Sequence, residues 1–140
     1  MKKFVPAFFV LLLLTVSSEA QQTRWGVRAG VVDNDPMIGA EVLVPLPMGF
    51  VLNPNIEFSS DVFTANADVH YDFTLNAQTD LWLGAGLAFV NPDDADYDGG
   101  INLLGGVGVR RGNWYPYGQI KMTSGSDIDE FWSAAVGVRF

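Results

Sequence analysis

The chain has 140 residues, with Lys+Arg 8 against Asp+Glu 16, one His, no Cys and 49% hydrophobic residues. Without Cys there is no disulfide framework, no thiolate metal site and no lipoprotein anchor. A net charge of −8 argues against nucleic acid as a partner, because that binding runs on Lys and Arg.

The first element is not part of the fold. Lys2 and Lys3 precede an apolar run from Phe4 to Val16, which ends in Ser17-Ser18-Glu19-Ala20. A basic start, a greasy core and a small-residue cleavage site make residues 1–20 a secretory signal peptide. The run is too short and wrongly flanked for a membrane-spanning helix. Cleavage after Ala20 leaves one domain, residues 21–140, with 6 basic and 15 acidic side chains.

The domain holds no amphipathic helix pattern, since Gly and Pro recur and no apolar stripe keeps a spacing of three and four. Alternation at period two runs through it instead. Eight strands are predicted, at Arg24–Val32, Met37–Val44, Phe50–Ser59, Phe63–Leu75, Leu81–Val90, Ile101–Arg111, Trp114–Thr123 and Phe131–Phe140. Turn chemistry separates them, from Asp33-Asn34-Asp35-Pro36 to the stretch Ser124 to Glu130. With eight strands, the 120 residues give about 15 each, enough for the roughly 9–11 that a membrane strand needs. Sixteen strands would leave too few, so a large porin is excluded.

The acids cluster after strands one, three, five and seven, at Asp33, Asp35, Asp61, Asp93, Asp94, Asp96, Asp98, Asp127, Asp129 and Glu130. The other three connections hold only Asp80. Outer-membrane barrels carry short periplasmic turns and longer outer loops, which makes the acidic end the outer one.

With the signal peptide, the up-and-down pattern and the ending Trp132-Ser-Ala-Ala-Val-Gly-Val-Arg-Phe140, the mature chain resembles the small eight-stranded outer-membrane barrels of the OmpA/OmpX-like class. The fold this implies is all-β: an eight-stranded antiparallel up-and-down transmembrane β-barrel. The resemblance also implies that Trp132, Val136, Val138 and Phe140 present an assembly signal to the barrel assembly machinery. It implies a bacterial outer-membrane location, lipid and lipopolysaccharide as surroundings, and a monomer. The OmpA pattern adds a peptidoglycan-binding domain after the barrel. Here the sequence stops at Phe140, so cell-wall anchoring is not expected.

In lipid the apolar face must point outward and the polar face inward. The interior of eight strands is just wide enough for side chains to fill. The expected interior polar network is Arg28, Arg110, Lys121 and Arg139 with Glu41, Glu57, Asp68 and Asp72, together with His70 as a hydrogen-bonded member. Hairpin register places Arg28 near Glu41, Lys121 opposite Ser133 and Tyr115 beside Arg139. Gly84, Gly86, Gly106, Gly108 and Gly137 share the inward parity and leave room for long side chains such as Trp82. Trp25, Tyr71, Phe73 and Phe140 are expected to girdle one rim, and Phe58, Phe63, Phe89 and Trp132 the other.

Some barrels that this chain resembles are lipid A deacylases, proteases or palmitoyltransferases. A hydrolase needs a nucleophile and a base within reach. The single imidazole, His70, belongs to the periplasmic end, whereas Ser59, Ser60, Ser124 and Ser126 belong to the outer rim. Gln21-Gln22-Thr23 also leaves no room for the palmitoyltransferase's amphipathic helix. The chain is therefore expected not to be an enzyme.

One local motif points elsewhere. Asp94-Ala-Asp96-Tyr-Asp98-Gly99 matches the opening of a calcium loop, but its twelfth position is Gly105 where Glu is needed. Weakly bound Ca²⁺ or Mg²⁺ at Asp94, Asp96 and Asp98 is the only cofactor the sequence suggests, set against a merely solvated loop. The functional expectation is a non-enzymatic outer-membrane barrel with a structural or surface-interaction role and a plugged polar interior. The alternatives are a low-conductance channel, and a secreted soluble up-and-down barrel that binds a small apolar ligand by turning Val, Leu and Phe inward.

Overall fold

The computed structural model describes residues 23–60, 62–92, 98–126 and 128–140. The expected signal peptide lies outside the described residues, as do Asp61, Asp93, Asp94, Asp96 and Asp127. Eight strands follow in order: β1 (Arg24–Val32), β2 (Asp35–Pro45), β3 (Phe50–Ser59), β4 (Val62–Thr74), β5 (Thr79–Pro92), β6 (Asp98–Val109), β7 (Tyr115–Ser124) and β8 (Phe131–Arg139). Each pairs antiparallel with its sequence neighbours, and β8 returns to β1, so the sheet closes as an up-and-down barrel. At the seam Trp25 N–H donates to Phe140 O (3.2 Å) and Phe140 N–H donates to Trp25 O (2.9 Å). Closure leaves no edge, which is the condition for a sheet in lipid.

Turn chemistry sets the register. β1 and β2 are joined by only two residues, Asp33 (φ 48°) and Asn34 (φ 74°), with Val32 facing Asp35. Positive φ at both positions is the twisted hairpin turn that Asn and Asp tolerate. Between β4 and β5 the Asn76 Oδ1 accepts from the amides of Gln78 and Thr79, both at 2.9 Å. That side-chain cap starts β5 two residues earlier than the apolar alternation alone indicates. On β7 and β8, Lys121 stands opposite Ser133, and Tyr115 opposite Arg139.

The two faces of the wall differ sharply. Val27, Val31, Ile38, Leu83, Leu87, Leu103, Ile120 and Val136 are exposed on the outside. Buried inside are Arg28, Glu41, Glu57, Asp68, His70, Lys121 and Arg139. The inverted arrangement, with the aliphatic face around a ligand cavity, is not the one built. Aromatic rings pair at both rims: Phe50 with Tyr71 and Tyr71 with Phe73 at one, Phe58 with Phe63 at the other.

Three inward glycines meet aromatic rings. A Cβ on Gly106 would fall on the Trp82 indole, one on Gly108 on the Tyr115 ring, and one on Gly137 on the Tyr117 ring. These rings fill the lumen of the lower barrel, so the missing side chains on β6 and β8 are what lets them lie across it.

Candidate functional site

The buried interior is built around a chain of alternating charges. Glu57 Oε1 accepts from Lys121 Nζ at 2.7 Å and lies 2.8 Å from an Arg28 guanidinium nitrogen. A second Arg28 nitrogen stands 3.7 Å from Glu41 Oε2. Glu41 Oε1 in turn accepts from Arg139 Nε at 2.9 Å, and Asn53 donates to Oε2 at 2.7 Å. Lys121, Glu57, Arg28, Glu41 and Arg139 come from β7, β3, β1, β2 and β8, so the chain ties together walls distant in sequence. The Arg139 guanidinium also lies over the rings of Trp82 (4.5 Å) and Tyr117 (4.2 Å), and Trp82 donates its indole N–H to Gln119 at 3.1 Å. Stacking on aromatic faces and a bonded carboxylate together compensate a cation removed from water.

Asp68 is held differently. It accepts from Asn55 and Asn102, both at 2.8 Å, and forms no ion pair among the described residues. Asn66 donates to Asn55 (2.9 Å), Asn102 donates to Asn66 (2.8 Å), and Thr123 donates to Asn102 (2.7 Å). A ladder of neutral amides therefore stabilises this carboxylate. Apart from Asp80, which is buried near the mouth and pairs with Arg110, the sealed section contains three cations (Arg28, Lys121, Arg139) and three carboxylates (Glu41, Glu57, Asp68). Their charges cancel.

Two of the expected network residues sit at the mouth instead. Arg110 follows the last residue of β6, its side chain is 43% exposed, and it donates to Asp80 at 2.7 Å. Its backbone N–H bonds to Gln78 O in the neighbouring turn, which holds it on the rim. Asp72 is 37% exposed, and its Oδ1 is 2.8 Å from the buried His70 Nδ1. Asp80, which reads as a turn residue in the sequence, is nearly fully buried and accepts from Arg110 and from Tyr115 OH (3.1 Å). Its inward parity with Trp82 and Gly84 was the signal that could have placed it. The same parity would have found the amides Asn53, Asn55, Asn66 and Asn102.

No hydroxyl hydrogen-bonds to His70 among the described residues. His70 pairs with Val51 across β3–β4, and Ser59 lies eight residues further along β3. At roughly 3.3 Å per residue that is a gap of about 26 Å, far beyond proton transfer. Of the three candidate calcium ligands Asp94, Asp96 and Asp98, Asp98 alone is described, opening β6 opposite Val90. Among the described residues there is no group of three or more His, Cys, Asp or Glu that could hold a metal. On β8, Trp132, Val136 and Phe140 are exposed on the outer wall, and Val138 shares their parity.

No protein-family model matches the chain, and no curated protein matches it. Solved structures do. The N-terminal β-barrel domain of Pseudomonas aeruginosa OprF superposes with a TM-score of 0.73 at 18% identity, covering 84% of this chain and 95% of that one. Neisserial surface protein A gives 0.67 at 12% identity over 84% and 94%. The outer-membrane enzyme PagL gives 0.59 at 10% identity over 84% and 98%. At such identities the likeness is one of fold. The chain has the closed eight-stranded antiparallel architecture of the small outer-membrane barrels.

Proposed function

We propose that this chain is a bacterial outer-membrane barrel without enzymatic activity, serving a structural or surface-interaction role, with its lumen closed by its own side chains. The observation that carries the proposal is the inside-out distribution of polarity. Charged groups of both signs are buried in the lumen, paired with one another or held by amides, while the outer wall is aliphatic between two aromatic rims. That arrangement suits hydrocarbon outside and opposes water outside. The eight-stranded neighbours support the same placement and include one enzyme, so the fold leaves chemistry open. The non-enzymatic reading is supported instead by His70, whose ring bonds to Asp72 and to no hydroxyl among the described residues. The outward stripe of β8, Trp132, Val136, Val138 and Phe140, is the segment proposed to meet the barrel assembly machinery.

Cell fractionation combined with an unheated denaturing gel tests the proposal. The expected result is recovery with the outer membrane and a folded band that shifts on heating. Recovery as a soluble periplasmic protein, without detergent, would overturn it.

A further inference from the structure

We infer that the vestibule at the barrel end bearing Arg24 and Phe140 binds a small zwitterion. The chemistry it suits is an ammonium and a carboxylate beside an apolar side chain, as in an aliphatic α-amino acid or the charged ends of a short peptide. The vestibule encloses about 700 Å³, within the span of small-ligand sites. Seven strands contribute to it, with Arg110 just past the end of β6, and strand order fixes what faces what. Asp72 and Asp80 stand on β4 and β5, and Arg139 and Arg24 on β8 and β1, the opposite side of an eight-stranded ring. The arc between β1 and β4 is apolar, with Leu43, Pro45 and Val51 on β2 and β3. The mouth therefore presents carboxylates, guanidiniums and an aliphatic wall to one volume.

Two groups in it remain uncommitted. Asp80 is nearly fully buried, and Arg110 and Tyr115 both donate to its Oδ2. Its Oδ1 has no hydrogen-bond partner among the described residues, an acceptor of the kind that normally finds a donor. Across the mouth, Arg24 lies over the Tyr115 ring at 5.6 Å and makes no ion pair among the described residues. Arg139 is already neutralised by Glu41. A simple anion drawn to Arg24 would meet Asp72 and Asp80 across the mouth, and a simple cation drawn to those acids would meet Arg24 and Arg110. A zwitterion satisfies both sides at once, and its apolar part has Leu43 and Val51 to cover. The acceptor and the cation thus select for a ligand carrying both signs.

The test is NMR titration of the full mature chain in detergent micelles, following backbone amides at Arg24, Asp80 and Tyr115. The probes are leucine and leucyl-leucine, with isopentylamine and isovalerate as single-charge controls. Saturable shifts with a zwitterion are expected, with single-charge controls about fivefold weaker or worse, as loss of one part-buried ion pair implies. Arg24→Gln, at an exposed position, is expected to weaken leucine about fivefold without unfolding the barrel. Asp80→Asn should weaken it through the ammonium side, with the heat-shifted gel band reporting that each variant is folded. Binding of leucyl-leucine alone assigns a peptide end as the source, and binding of leucine assigns a free amino acid. No saturable shift with either zwitterion, equal shifts with the single-charge controls, or unchanged affinity in both variants would overturn the inference.

Discussion

Replacing Glu57 by Gln removes the negative charge that faces both Lys121 and Arg28, and its cost reports whether the lumen is dry. Glu57 Oε1 lies 2.7 Å from Lys121 and 2.8 Å from Arg28, whose side chains are each 1% exposed. The amide keeps the shape and leaves Lys121 without a counter-ion, with a net charge of +1 in the sealed section. Stranding a buried charge in this way costs about 3–5 kcal/mol. Lys121→Met, which leaves Glu57 still bonded to Arg28, should cost less, about 2 kcal/mol. The double variant returns the section to neutrality, with Arg28 and Arg139 against Glu41 and Asp68. It should lose no more than about 2 kcal/mol in all, well below the sum of the singles, because the two sites share one interaction. Urea unfolding from lipid vesicles, followed by Trp fluorescence, measures all three. With a slope of about 1–3 kcal/mol per molar urea, a loss of 3 kcal/mol or more moves the midpoint by at least about 1 M. A Glu57→Gln midpoint within experimental error of the wild type, or strictly additive losses, would refute the reasoning. Either result would mean that water reaches and screens these charges.

Gly106→Ala should destabilise the barrel by about 1–3 kcal/mol, because its methyl would fall on the Trp82 indole, and Trp82→Leu in the same chain should recover part of that loss. Urea midpoints of the single and double variants decide it, and an unrescued double sinks the packing argument. Leu103→Arg, in the middle of the exposed aliphatic wall, should cost about 2–4 kcal/mol in lipid vesicles but much less in detergent, where the arginine reaches water. Equal losses in both media would mean that this face does not meet hydrocarbon. In planar bilayers the purified protein should show small conductance or none, and stable openings of porin size would contradict a lumen filled by Trp82, Tyr115, Tyr117 and the ion chain.

Strand number, strand order and the inward or outward sense of each residue were legible in the sequence. A closed sheet with opposite solvents on its two faces forces strict period-two alternation, and this chain obeys it over β4, β5 and β8. Register was legible where a turn is tight: the two-residue Asp33-Asn34 turn leaves β1 and β2 almost no freedom to slip. The ends of strands were less legible. Arg110 has interior parity, but the ladder stops at Val109, and a long side chain past the end swings to the rim. Asp80 went the other way, because Asn76 tightens the preceding turn and draws Thr79 and Asp80 into β5. The amide ladder around Asp68 carries no charge pattern, and Asn ordinarily signals a turn. Only the three-dimensional pairing of β3, β4, β6 and β7 brings Asn55, Asn66, Asn102 and Thr123 together.

The buried ion chain bears on where the proposed barrel can act. Each buried charge is either paired with an opposite charge or held by amides, so these side chains need no external ion as a counter-charge. Moving a solute along it would require breaking contacts contributed by five strands at once, and each contact stands in surroundings that penalise the separated charge. The ends are different. At the loop end, Asp33, Asp35, Asp129 and Glu130 lie beyond or at the first residue of a strand and outside the ion chain. At the turn end, Arg24 stands across an open volume from Asp72 and from the Arg110–Asp80 pair. On the proposed reading, a wall in lipid and a lumen closed by its own side chains leave recognition to these two rims. Their charge patterns differ, all acidic among the described loop residues and mixed at the turns, so the proposed surface-interaction role would meet different chemistry at the two ends.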